Sequence, residues 1–325
     1  MVGFEIYFMK EWCSLEEVYD AYIECRKRKR STKSCAMFEQ NEMSNVYQLY
    51  LELNTHTYEI GFSDAFCVTR PKIREVFAAD FRDRIIHHLL MRKLEPLFEE
   101  VFIEDSYNCR KGKGTDYGVK RAAYFANEYS DGWVLICDLK GFFMSINKKL
   151  LWDKLQEFIL HNYKGEDIYD VLWLVEKVVL HKPQNKCIKK GDLTLWNKLD
   201  KNKSLFTNNQ DCGLAIGNLT SQIFANFYLL AFDLYKRDIL KIQGGRYVDD
   251  DNSFSHNKEL LLKALPKYRI FLKEELGIDL HPKKIYLQPV KHGFKFVGSV
   301  IKQNRIYAGN RTIGNLYSLI RYYNS

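Results

Sequence analysis

The chain has 325 residues, 46% of them apolar and 14% aromatic, and a net charge of +8. That length and apolar content exclude a disordered chain and suffice for two or three units sharing buried cores. The positive balance suits a polyanionic partner without assigning one. The eight cysteines form no Cys-x-x-Cys pair and no zinc-finger spacing with histidine, so reduced structural thiols are expected. No signal-peptide pattern precedes Lys10 and no apolar run is long enough to span a bilayer, which predicts a cytoplasmic protein with no membrane partner.

Ser14 followed by Glu17 is a capping-box pattern that opens a helix toward Arg30. The basic run 26–30, with Lys33 behind it, reads as a solvated helix end or as a contact for nucleic-acid phosphates. A second helix is predicted over 36–54, short alternating strand-like segments around Gly61 over 57–70, and a helix over 81–98 with Ile85, Ile86, Leu89, Leu90 and Leu94 in its apolar stripe. A basic glycine loop, Arg110-Lys-Gly-Lys-Gly114, precedes a helix over 115–129. The compact apolar run 133–137 reads as a buried strand that delivers Asp138 at its end.

Helices are predicted over 148–160 and 167–180, and the lysine-rich stretch 181–212 reads as a functional loop or insertion. One long apolar-aromatic helix is predicted over 220–237. Gly244-Gly245 opens a hairpin with Tyr247 to Asp250 near its turn. A helix over 258–275 follows, then a strand over 294–301 that pairs with 305–307 through Lys302-Gln-Asn304. Strands and helices mix without strict βαβ alternation, so the fold class is α+β.

Two stretches place acidic residues where folding alone gains nothing from them. Asp138 closes an apolar strand, and Asp249-Asp250 sits in a tight hairpin. Adjacent carboxylates repel and are costly to assemble without a cation. Two magnesium ions about 3.5–4 Å apart would solve that problem and support phosphoryl transfer. Taken singly, an Asp-Asp pair in a turn also satisfies ordinary turn chemistry.

The order of motifs carries more. Asp138-Leu-Lys-Gly-Phe-Phe-Met-Ser-Ile146 resembles the first palm motif of reverse transcriptases, and Tyr247-Val-Asp-Asp250 resembles their third. Between them, Gly213-Leu-Ala-Ile-Gly-Asn-Leu-Thr-Ser-Gln222 resembles the second motif of the enzymes of diversity-generating retroelements. Those carry Ile-Gly-x-x-x-Ser-Gln where retroviral, retron and group II intron enzymes generally carry Gln-Gly-x-x-x-Ser-Pro. Arg70-Pro-Lys-Ile-Arg74, Phe81-Arg-Asp-Arg-Ile-Ile-His-His88 and Asp105-Ser-Tyr-Asn-Cys-Arg-Lys-Gly-Lys-Gly114 resemble that family's fingers. Lys203-Ser-Leu-Phe206, Leu280-His-Pro-Lys-Lys284 and Gly293-Phe-Lys-Phe-Val-Gly298 resemble further stretches of it. Ala215 stands where the family usually has Pro, and Asp251 where an apolar residue is commoner.

The resemblance implies a right-hand polymerase with a ferredoxin-like palm. Its expected divisions are an N-terminal helical extension over 1–56, fingers over 57–130, a palm over 131–307 with an insertion near 148–212, and a minimal thumb over 308–325. It implies Asp138, Asp249 and Asp250 as ligands of two Mg2+ ions. Lys72, Arg74 and Arg110 would bind the incoming dNTP, or else be solvated surface charges, and Phe143 would act as a steric gate against the ribose 2′-hydroxyl, or else be a core aromatic like its neighbour Phe142. Ile216, Gly217, Ser221 and Gln222 would line the nascent base pair and template, and Lys283 or Lys284 would protonate the leaving pyrophosphate. Phe296, Val297 and Gly298 would form the primer grip, or else a packed strand. Implied partners are a template RNA, a cDNA primer strand, dNTPs and a basic helical accessory protein. The implied reaction copies RNA into adenine-mutated cDNA that diversifies a target gene. The alternatives are a retron or phage-defence reverse transcriptase, against which Ile216 and Gln222 stand, and a non-catalytic RNA-binding scaffold, which has no need of clustered carboxylates.

Overall fold

The computed structural model describes residues 11–27, 29–70 and 72–324. The N-terminal stretch read for a signal peptide, Arg28 of the basic run and Pro71 of the Arg70–Arg74 motif lie outside the described residues. By its contacts the chain divides into two units. The first joins the described residues up to Glu100 with Asn147–Ser221, and the second joins Val101–Ile146 with the described residues from Gln222.

In the first unit the capping box forms as expected. Ser14 Oγ accepts from the Glu17 N–H at 3.1 Å and Glu17 Oε2 accepts from the Ser14 N–H at 2.9 Å, opening the helix Leu15–Arg26. The helix expected over 36–54 is instead two, Lys33–Glu39 and Glu42–Asn54. The backbone leaves the helical region at Asn41 (φ −131°, ψ 47°), and the Asn45 amide donates to the Phe38 carbonyl at 2.8 Å, which fixes the corner. The helix Phe81–Val101 buries Ile85, Ile86, Leu89, Leu90 and Leu94 along one stripe, as its periodicity predicts.

The alternating stretch 57–70 yields one strand, Ser63–Val68, in an antiparallel hairpin with Arg74–Ala78. Its other edge is covered in parallel by Cys187–Lys189. The connection 181–212 is therefore partly sheet, a pairing between residues far apart in sequence that no local pattern announces. Buried Glu75 pins the rest of that connection. It accepts from Trp196 Nε1 at 2.7 Å, Ser204 Oγ at 2.6 Å and the Leu205 N–H at 2.7 Å.

The second unit holds a four-stranded antiparallel sheet in the order Gln243–Tyr247, Asp250–Ser255, Trp133–Asp138, Tyr286–Pro289. In chain order this is strand, helices, strand, strand, helix, strand, the ferredoxin-like βαββαβ arrangement. The helix Thr115–Glu128 packs Val119, Ala122, Phe125 and Ala126 into a core with Val134, Ile136 and Phe254. The single helix expected over 220–237 is broken into Leu219–Tyr228, Leu230–Leu234 and a wide π-helical turn, Tyr235–Ile239. That turn carries Lys236 into the interior, a demand of tertiary packing that periodicity does not report.

The strand Tyr286–Pro289 was not predicted, being short and ending in Pro. The strand predicted over 294–301 folds back on itself as Phe294–Phe296 and Ser299–Lys302, because Val297 (φ +46°) and Gly298 (φ +81°) make a two-residue turn. Ser299–Lys302 then pairs with Arg305–Ala308, as expected. The helix Asn310–Tyr323 is exposed along its length. Among the described residues no helix is long and apolar enough to cross a membrane.

Candidate active site

Asp138 ends the central strand directly opposite Asp250 in the antiparallel register. The two-residue period of a strand then puts Asp250 on the sheet face of Asn252 and Phe254, and Asp251 on the opposite face with Ser253. Between Tyr247 and Asp250 the chain reverses through Val248-Asp249. Val248 has φ +56°, a left-handed conformation that a β-branched side chain resists. Three main-chain bonds fix the surroundings. Leu139 N–H donates to Asp249 O at 3.2 Å, His281 N–H to Asp138 O at 2.7 Å, and Lys140 N–H to Asp279 O at 2.8 Å. The Lys284 ammonium donates to Asp138 Oδ2 at 2.6 Å, whereas the Lys283 main-chain N–H donates to His281 Nδ1 at 3.2 Å.

No three His, Cys, Asp or Glu side chains converge on one cation position among the described residues. The donor set still fits a hard divalent ion. Magnesium is commonly held by one or two carboxylates completed by substrate phosphates and water, and Asp138 and Asp250 face each other across one strand pair with Asp249 beside them. Asp138 already accepts a cation, the Lys284 ammonium.

The opposite face of the same hairpin is charged and dry. Arg246, 1% exposed, grips Asp233 through Nε at 2.8 Å and Nη2 at 2.5 Å and donates from Nη1 to the Val248 carbonyl at 3.0 Å. Asp251 and Lys236 form a second buried ion pair. Burial pushes the Asp251 carboxyl up, and the Lys236 ammonium opposes that shift. The unusual Asp251 thus leaves the hairpin pairing intact, since its partner lies in the π-helical turn. Arg246, Asp233, Lys236 and Glu75 were not singled out from sequence. The available signal was a charge placed inside a strand or an apolar helix.

The second unit also carries Phe143, Arg110, Gln222 and the stretch Phe296–Gly298. Phe142 is buried at 2% exposure, while Phe143 beside it is only half-buried, so the core aromatic of the pair is Phe142. Left-handed Gly141 (φ +58°) starts their short helix. Arg110 is buried, stacks over Phe102 and donates from Nη1 to the carbonyls of Ile103 at 2.5 Å and Ser106 at 2.9 Å. Gln222 Oε1 accepts from the Cys109 thiol at 2.6 Å, and burial pushes that thiol up to about 11, so it stays protonated and able to donate. Phe296 is in the core, and Val297 and Gly298 form the hairpin turn described above.

Lys72, Arg74, Ile216, Gly217 and Ser221 belong to the first unit. Lys72 and Arg74 are exposed, Arg74 at the first position of its strand. The Ile216 carbonyl accepts from the Phe77 N–H at 2.9 Å, laying the 216–217 segment along that strand. Gly217 has φ +125°, and a Cβ there would meet Val76 Cγ1 at 2.9 Å and Phe77 O at 3.0 Å, so only glycine fits. Ser221 and Ala215 are buried. Thr220 Oγ1 shares a 2.8 Å hydrogen bond with His87 Nδ1, whose ring burial holds neutral, with its pKa down at about 3.

A ferredoxin-like sheet with paired carboxylates at one strand end and at the adjoining hairpin is the palm of a right-hand polymerase. Comparison with solved structures agrees. Apo telomerase from Candida tropicalis shares the fold with a TM-score of 0.53 at 13% identity, over 77% of this chain and 48% of the telomerase chain. This chain thus spans about half the length of that relative. No curated protein matches the sequence. Residues 69–301 match the family described as reverse transcriptase (RNA-dependent DNA polymerase), and the chain belongs to that family. Polymerases of this family generally use divalent metal ions.

Proposed function

We propose that this chain copies an RNA template into cDNA at the Asp138, Asp249 and Asp250 centre, as the polymerase of a diversity-generating retroelement. The observation that carries the polymerase reading is the Asp138–Asp250 cross-strand pair with Asp249 in the strained turn beside it. Bound Mg2+ would supply Lewis acidity toward the primer 3′-hydroxyl and the triphosphate. The protein's part is then positional. Asp138, Asp249 and Asp250 hold the cations, exposed Lys72 and Arg74 take the triphosphate charge, and Lys284 stands beside Asp138 as the proton donor to leaving pyrophosphate. Half-buried Phe143 tests the sugar 2′ position. Arg110 is proposed for the same triphosphate charge, and its bonds to the Ile103 and Ser106 carbonyls hold it in the loop that carries it.

The retroelement subtype is supported by Ile216 and Gln222, as set out from the sequence. Glutamine in place of Ile216 could hydrogen-bond near the template nucleotide, whereas an isoleucine side chain has no donor or acceptor and leaves selection to shape and pairing. Errors are expected chiefly opposite template adenines. The test copies a defined RNA with the wild-type protein and with Ile216→Gln, in Mg2+ and with the accessory protein if extension requires it, and sequences the cDNA. Adenine errors that fall in Ile216→Gln support the subtype. Equal error rates in two active proteins overturn it and return the chain to the retron or phage-defence class. Absence of any RNA-templated extension favours the scaffold reading.

A further inference from the structure

We infer that Arg246 is a positioning residue for the metal centre, acting through the main chain of Val248 rather than on substrate. The inference rests on the reading of Asp249 as a metal ligand. Four observations point to it. First, Val248 adopts φ +56°, a conformation its branched side chain disfavours, in the residue immediately before Asp249. A residue in such a conformation relaxes unless its surroundings over-determine it. Second, a buried side chain reaches this peptide directly, since Arg246 Nη1 bonds the Val248 carbonyl at 3.0 Å.

Third, that donor is itself immobilised. Nε and Nη2 form the two-pronged grip on Asp233, and Nη2 also lies 3.3 Å from Ser106 Oγ and 3.4 Å from Asn226 O. Arg246 N–H donates to Asp105 O at 2.8 Å, and Arg246 O accepts from the Tyr107 N–H at 3.0 Å, so its backbone is fixed as well. Fourth, the planar guanidinium matches this set of acceptors in a way an ammonium cannot, because one rigid fork meets the carboxylate and the carbonyl together.

The Val248 carbonyl and the Asp249 amide belong to one peptide plane. Fixing the carbonyl on the buried side therefore fixes the start of Asp249 on the other. The buried Arg246–Asp233 pair is in this view the rigid back of the metal site, and the strained turn is the element it holds in place. Interior burial makes the device stiff, since the charges have no water to exchange partners with.

The test reads metal binding directly, by titrating Mn2+ into wild type, Arg246→Lys, Asp233→Asn and Asp249→Asn on an RNA–DNA primer–template and following free Mn2+ by electron paramagnetic resonance. Thermal midpoint and primer extension are measured alongside. Lysine can satisfy Asp233 or the carbonyl but not both, so Arg246→Lys is expected to weaken Mn2+ binding by roughly tenfold, the scale of one released backbone strain. Adding Val248→Gly to Arg246→Lys removes the penalty on the left-handed turn and should recover part of that loss. Asp233→Asn keeps one acceptor for Arg246 and leaves the Arg246–Val248 bond in place, so it should lower the thermal midpoint and weaken Mn2+ binding less than Arg246→Lys does. If Arg246→Lys does not fold, the pair Arg246→Gln with Asp233→Asn removes both charges together and leaves neither buried alone; it should show the same weakening. Wild-type Mn2+ affinity in a folded Arg246 variant overturns the inference, and so does a loss that Val248→Gly does nothing to recover. Unchanged Mn2+ binding and extension by Asp249→Asn would instead overturn the metal reading itself.

Discussion

Lys284 Nζ lies 2.6 Å from Asp138 Oδ2, while its neighbour Lys283 donates to His281 through its main chain. Sequence spacing alone left the two lysines equivalent. The contact sets Lys284 beside Asp138, which is why it, and not Lys283, is the one proposed as proton donor. Lys284→Ala is expected to slow single-nucleotide addition by roughly 100-fold, the lower end of what a positioned proton donor contributes. Lys283→Ala is expected to stay near wild type. Rapid-quench extension on an RNA template measures both, and equal losses in the two variants would remove the distinction.

Phe143 is half-buried beside a buried Phe142, so the two adjacent rings are not equivalent, and the proposed steric gate is the more exposed one. Phe143→Ala should admit ribonucleotides, with selectivity for dATP over ATP falling by roughly 10- to 200-fold, the range for pocket steric effects. Discrimination equal to wild type would return Phe143 to a packing role.

Gly217 tolerates no side chain, by both its φ of +125° and the 2.9 Å approach of Val76 Cγ1 to a built Cβ. Gly217→Ala should destabilise the first unit by roughly 1–3 kcal/mol through strain and overpacking. The readout is the urea midpoint, and an unchanged midpoint would show that the 216–217 segment can shift freely.

His87 is buried neutral, with its pKa down at about 3, because burial penalises the imidazolium. In the unfolded chain it titrates near its ordinary value of 6.5. Below that pH the unfolded state binds a proton the folded state refuses, so stability is full above 6.5 and falls as the solution is acidified toward 3. From neutral pH to pH 5 the loss from this one group is about 2 kcal/mol. Urea unfolding of wild type and His87→Gln at both pH values checks it. The variant should show a smaller acid loss, and an identical loss would assign the effect elsewhere.

Much of this was legible in the sequence where the signal is local. The Ser14–Glu17 capping box, the apolar stripe of Phe81–Val101 and the run that delivers Asp138 each depend on neighbours within a few residues, and each appears as read. What was not legible depends on partners far away in the chain. Cys187–Lys189 is a strand only because Ser63–Ala65 offers an edge, and Glu75 is an anchor only because Trp196 and Leu205 come to it. Arg246 looks like an ordinary polar hairpin residue, and Asp251 like an unexplained departure from the family pattern, until Asp233 and Lys236 are brought beneath them by a helix that turns wide at Tyr235. The fold-back at Val297-Gly298 was missed for a different reason, since valine is a poor residue for a left-handed turn and hides it.

The most direct test of the metal-dependent polymerase centre is primer extension by purified wild type and Asp249→Asn on a defined RNA template in Mg2+. RNA affinity is measured on the same preparations. A neutral amide is a poor partner for divalent ions, while template binding rests chiefly on lysines and arginines. The expected result is extension by wild type, none by Asp249→Asn, and near-equal RNA affinity in the two. Extension by Asp249→Asn at a rate close to wild type would contradict it.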